Sequence, residues 1–369
     1  MRNNLNIKKL TLGLTITMLA CFAIATLLFF QIEMKDYRDG KYIHNVNEEE
    51  SFTTTDIKNI NIESSSSDIN LIKYDDSEVK VHIYGKLYTK DKNQKDDQII
   101  KLNNGLLDIR ETPKKYINIL SFNLGVLTNS NKLKIDLYIP RDYKENIIID
   151  SSSGSIKADN LNLKKLDINT YSGEIDLKDV SAKDISFESS SGKISADNIE
   201  TDDLEMKTYS GNNDYKSINA EKVCFESSSG NMSLGTVNAK KIAGDTYSGN
   251  IAVDKLTSDD VNLEASSGKI TLGDVIVKKI KCVTYSGDVA FNNAALNNTQ
   301  IETSSGNVIL KLLEESEFNL DAENSSGNIK CDFPLVNTGE GKHQLKGVVG
   351  EGSNSIKIQT FSGDIEISK

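Results

Sequence analysis

The chain has 369 residues, 54 of them acidic and 43 basic, for a formal net charge of -11. That balance lacks the basic footprint a nucleic-acid partner requires, and it gives no general attraction to an anionic membrane surface or wall polymer. Four cysteines without a CxxC or a Cys/His cluster, together with three histidines, give no support to a zinc site or a redox motif.

In chain order, residues 1–9 carry Arg2, Lys8 and Lys9 and are expected to stay in the cytoplasm. Leu10 to Ile32 is an uncharged apolar run, long enough to cross a bilayer as a transmembrane helix. The lipid bilayer is thus the first expected partner, and the bulk of the chain is placed outside the cytoplasm. The rival is a cleaved signal peptide, but its apolar core is usually only about 7–15 residues and a small-x-small site is missing. Cys21 does not read as a lipidation site, because Leu19 stands where a small residue is needed. The charged, aperiodic stretch 33–50 reads as a stalk.

From Ser51 the pattern alternates apolar and polar positions, as half-buried strands do. Residues 51–150 are expected to form an N-terminal β cap that includes a degenerate first coil, because Ser64 to Ile69 copies the later SSSGSI with Ser67 in the glycine's place. A separate ligand-binding domain is the alternative there.

Residues 151–327 carry a strict repeat. A Ser-Gly pair recurs with its glycine at Gly154, Gly173, Gly192, Gly211, Gly230, Gly249, Gly268, Gly287 and Gly306, 19 residues apart each time. Counting from each glycine, apolar side chains occupy positions +2 and +4, then +7, then +12 and +14. Three short walls per 19 residues close into a coil, so the fold class expected is an all-β solenoid, a β-helix with right-handed winding favoured from β-helices in general. At ~4.8 Å per coil the regular coils make a rod of roughly 40 Å. The corner glycine is expected to need either a positive φ or the absence of a side chain. Asn213 occupies a core position and predicts a bulge or a rearranged turn.

A 38-residue period lies over the first. Tyr171, Tyr209, Tyr247 and Tyr285 precede alternate glycines, while Glu188, Glu226, Glu264 and Glu302 mark the coils between. This leaves a flatter 38-residue coil open. The functional reading of the strip is a ligand ladder, with tyrosines stacking on sugar rings and carboxylates holding hydroxyls. The structural reading is that alternation keeps like charges two coils apart and lets each ring cover a neighbouring corner. The column Lys165, Asp184, Asp203, Lys222, Lys241, Asp260, Lys279 reads as charge-compensated stacking. Residues 328–369 are expected to close the stack as C-terminal coils and a cap.

No catalytic, cofactor-binding or metal site is expected. His44, His82 and His343 are scattered, and Cys282 and Cys331 should point inward and Cys224 outward. A β-helical polysaccharide lyase would need carboxylates clustered with Arg or Lys. Here Arg2, Arg38, Arg110 and Arg141 all precede the repeat, so no enzyme is expected.

The stretch IDLYIPRDYKENIIIDSSSGSI from Ile135 to Ile156, the alternating SSGxI and YSGxI copies, and the closing IKIQTFSGDIEI resemble the bacterial putative-adhesin family of unknown function, which includes LiaG-like envelope proteins. The resemblance covers about residues 51–369. It implies an exported or membrane-anchored β-helical protein, tied in some relatives to envelope-stress systems, and brings no catalytic residues with it. The expected function is a non-catalytic, membrane-anchored scaffold at the cell envelope with a membrane or envelope protein partner, and with a part in envelope-stress sensing or modulation. The alternative is a surface adhesin that binds cell-wall glycan through the Tyr/Glu strip.

Overall fold

A computed structural model describes residues 42–89, 99–111 and 132–369. The expected span Leu10 to Ile32 lies outside them, and among the described residues no helix is long and apolar enough to cross a membrane. Apart from one short 3-10 turn at Thr54–Asp56, the described elements are β-strands.

Each repeat is one 15-residue strand followed by a four-residue corner, beginning with Ile156–Thr170 and Ile175–Ser189. Ile175 pairs in parallel with Ile156 on one side and Ile194 on the other, so the coil has 19 residues and the 38-residue alternative falls. The eight 15-residue strands from Ile156–Thr170 to Val289–Thr303 stack in register in one sheet, so every coil buries only what its neighbours cover.

The inward columns are those expected at +2, +4, +7, +12 and +14, with two additions. Position +9 also faces in, as Leu163, Ala182, Thr201, Ala239, Ser258, Val277 and Leu296 are buried. Its polar members are satisfied locally: the Thr201 hydroxyl lies 3.0 Å from the carbonyl oxygens of Lys183 and Asp203. Position +16 is a buried hydroxyl column that ties the corner. The Gly173 and Gly249 amides each donate to the threonine three residues earlier at 2.9 Å.

The corner glycines settle the choice between the two explanations. None from Gly154 to Gly306 has a positive φ. Instead a Cβ on Gly211 would stand 2.0 Å from the carbonyl oxygen of Gly192, and one on Gly268 1.7 Å from that of Gly249. The corners stack too closely for a side chain.

Asn213 stays in register with Ile194 and Met232, so the expected bulge is absent. It is 2% exposed, its Nδ2 reaches the Gly211 carbonyl at 3.4 Å, and its Oδ1 has no partner. The hydroxyl of buried Tyr215, two residues on, is also unpartnered. Restoring the column with Asn213→Ile should therefore raise stability by about 1–2 kcal/mol, read by urea denaturation. A loss of stability would mean that the interior there is not apolar.

Both ends depart from the expected order. Strand Tyr42–Thr53 pairs antiparallel with Glu78–Thr89, so the stretch read as a stalk is already folded from Tyr42. The first coil, strands Asn59–Ser64 and Asp68–Tyr74, sits between the later segments Leu106–Arg110 and Lys132–Pro140 on one side and Asn146–Ser151 and Ile156–Thr170 on the other. The far end mirrors this. Strand Asn354–Ser362 lies between Val289–Thr303 and Phe318–Ser326, and Ile365–Ser368 between Val308–Leu312 and Ile329–Cys331. The closing strands are thus inserted into the stack rather than capping it. The outer layer is built from residues 318–349, with the antiparallel strand Gln344–Val349 on Phe318–Ser326.

Candidate ligand-binding strip

The solenoid places positions +15 and +17 side by side along one outer edge. Because +14 and +16 point inward, the side chains flanking them must point out. Tyr171, Tyr209, Tyr247 and Tyr285 are 68%, 67%, 69% and 69% exposed. The corners they were expected to cover are already sealed by the stacked backbone, and each ring spends most of its surface on solvent. Beside them Glu188, Glu226 and Glu264 help line a groove of about 1050 Å³ that runs from Tyr171 to Tyr285, with Ser190, Ser228 and Ser266 between the rings. Glu302 borders a second hollow of about 570 Å³, which shares Val283, Thr284 and Ser304 with the first.

The charge pattern differs from the alternation expected. Asp245 pairs in register with Glu226 on one side and Glu264 on the other, so three carboxylates follow one another on consecutive coils. Partial burial, and then Glu264 and Glu226, push the Asp245 carboxyl above its ordinary range. Separation of like charges therefore does not account for the strip. Only Lys207, paired with Glu205 at 2.6 Å, interrupts the acids on the N-terminal side.

Sequence reasoning missed two members of this edge. Phe361 stands two residues before Gly363, as each tyrosine does before its glycine, and is 70% exposed. Strand insertion puts Thr360 beside Thr303, so Phe361 follows Ser304 along the edge and continues the alternation of ring and hydroxyl. The signal was the FSG copy of YSG, hidden by its irregular spacing. The second is an amide ladder at +1, just past the corner. Asn212 Oδ1 accepts from the Asn231 amide at 3.1 Å, Asn231 from Asn250 at 3.0 Å, and Asn250 from Lys269 at 2.9 Å. It holds the corners in line and so fixes the spacing of the strip.

Elsewhere some outer neighbours are compensated, as Lys279 meets Asp260 at 3.4 Å and Lys278 meets Asp259 at 2.7 Å, but in the column expected to be charge-compensated Asp184 stands beside Asp203 and Lys222 beside Lys241. His82 bonds Asn47 at 2.9 Å, and His343 bonds Asn324 at 3.1 Å. Cys282 is buried, while Cys224 and Cys331 are half-buried, and all three are free. Among the described residues no group of His, Cys, Asp and Glu side chains is arranged to hold a metal ion.

Fold and edge together define a parallel β-solenoid with a ladder of exposed aromatic rings along one corner. The chain belongs to the Toastrack DUF4097 family, whose model matches residues 57–223 and again 199–368. Similar solved structures include a putative cell adhesion protein from Clostridium sporogenes, at 15% identity over 88% of this chain and 99% of that one, with a TM-score of 0.27. A putative lipid binding protein from Parabacteroides distasonis shares 18% identity over 73% and 97%, with a TM-score of 0.43. A putative adhesin from Parabacteroides merdae shares 15% over 73% and 96%, with a TM-score of 0.42. No curated protein matches the sequence.

Proposed function

We propose that this chain is a non-catalytic scaffold at the bacterial cell envelope, anchored by Leu10 to Ile32, whose aromatic edge is the face that holds a ligand. The observation that carries this reading is the exposure of four tyrosines, each about two-thirds open, in one groove with Glu188, Glu226, Asp245 and Glu264. Exposed rings in line, not needed to seal the fold, are the usual sign of a surface kept for binding. The regular repeat supports a non-catalytic role, since the edge offers the same groups coil after coil and no singular acid/base constellation.

A second reading, envelope-stress sensing through a membrane protein partner, draws its support from the apolar segment. One experiment separates the two. Replacing Tyr171, Tyr209, Tyr247 and Tyr285 together with Ser should leave the far-UV spectrum and melting temperature unchanged. Retention of the full chain on cell-wall material should fall to background. Unchanged retention would remove the edge as the ligand face and leave the partner reading standing, and an unfolded variant would make the rings structural.

A further inference from the structure

The spacing of the rings narrows the ligand class. Tyr171, Tyr209, Tyr247 and Tyr285 stand on alternate coils, and Phe361 extends the series across the inserted strand. At ~4.8 Å per coil, successive rings are about 9.6 Å apart along the solenoid axis. A rigid stack with a fixed ring pitch is matched by a polymer that presents the same face at that pitch.

Three extended polymers can be compared. A β-strand peptide repeats its face every ~6.8 Å and falls out of step within two rings. A polyproline helix repeats every ~9.3 Å, close to the pitch, but proline has no N–H to offer the carboxylates lining the edge. In a β-1,4-linked glycan each sugar advances the chain by close to the rise of one coil, and alternate sugars turn the same face to one side. Alternate sugars then rest on alternate coils. The groups between the rings suit the rest of such a chain. Glu188, Glu226, Asp245 and Glu264 are acceptors for sugar hydroxyls and amide N–H groups, and Ser190 and Ser228 can donate or accept. The same run of carboxylates repels uronate or phosphate polymers.

Resting on the reading of this edge as a ligand face, we infer that it binds a neutral or amino-bearing β-1,4-linked glycan laid along the solenoid axis. Every second sugar stacks on one of the rings Tyr171, Tyr209, Tyr247, Tyr285 and Phe361.

The test is calorimetric titration of the detergent-solubilised full chain with β-1,4-linked N-acetylglucosamine oligomers of increasing length. Oligomers of β-1,3-linked glucose, polygalacturonate and a proline-rich peptide serve as controls. Affinity should climb with each added disaccharide. The double variant Tyr209→Ala/Tyr247→Ala should lose at least about tenfold, at roughly one aromatic contact per ring. Phe361→Ala should weaken only the longest oligomers, because its ring lies at the end of the series. Circular dichroism on each variant secures the fold. Equal, tyrosine-dependent affinity for the β-1,3-linked oligomers would overturn the pitch argument and leave the ligand face intact. Absence of tyrosine-dependent binding to any oligomer would overturn both, and tighter binding of the peptide or the polyanion would overturn the assignment to a neutral glycan.

Discussion

Gly211→Ala is expected to destabilise the protein by about 3 kcal/mol, at the upper end of what overpacking costs. The reason is the identity of the obstacle. The new methyl carbon would stand 2.0 Å from the Gly192 carbonyl oxygen, and that oxygen belongs to the backbone of the coil before. A side chain could rotate away, but this carbonyl lies in a corner between two strands, each paired with its neighbours on both sides. Relief requires prising two coils apart at one corner. Because each coil touches only the next, such a fault in mid-stack also divides the cooperative unit. Guanidinium denaturation should then show a lowered and broadened transition. Gly339→Ala is the control, since nothing lies within 4 Å of a Cβ there. If the two variants unfold alike, the close stacking of corners is not what selects glycine.

A loss of about 3–5 kcal/mol is expected for Glu111→Ala, from leaving several amides without an acceptor. In the regular corners the first two amides donate to carbonyls of the coil before, as Ser190 does to Thr170 and Ser191 to Tyr171. At the corner Ser64–Ser67 the amides do not meet such a carbonyl. The Glu111 carboxylate, 1% exposed, takes its place. One oxygen accepts from the amides of Ser65 at 2.7 Å, Ser66 at 2.9 Å and Ser67 at 3.3 Å, and from the Ser64 hydroxyl at 2.8 Å. Glu111→Gln keeps an acceptor but gives up the charge assistance and should lose about half as much. Thermal melts of the two variants check the order. An alanine variant that melts with the wild type would show that water replaces the carboxylate.

Glu111 also illustrates what a sequence conceals. The repeat was legible because each coil rebuilds the same columns, so that Ile156, Ile175 and Ile194 announce a wall by position alone. Position +9 was not, because it mixes Leu163 and Val277 with Thr201 and Ser258, whose hydroxyls find carbonyl partners both in the coil before and in their own. The coil length stayed ambiguous for a related reason: the Tyr/Glu alternation is real but sits outside, where stacking does not require it. At the ends the information is long-range. Nothing local in EGSNSIKIQTFSGDI says that it enters the stack ahead of Phe318, which on the repeat's own count should have followed Thr299 directly. Asp245 stands in the same column but in a coil that carries a tyrosine, so the Tyr/Glu alternation masks its charge. Asn213 was seen as an exception, and only its unbroken register shows that the strand absorbs it.

The inserted strand carries a consequence for biosynthesis. Phe318–Ser326 leaves the ribosome before Asn354–Ser362, yet it has its place beyond that strand in the finished stack. A solenoid growing coil by coil behind its own synthesis could run as far as Thr303 and then must hold its third wall open. If residues 318–326 docked early onto Thr299, they would occupy the berth of the later strand. Completion therefore waits on residues 354–368, and a chain interrupted before them would display an unfilled edge at one end. The molecule is proofread for length by its own topology.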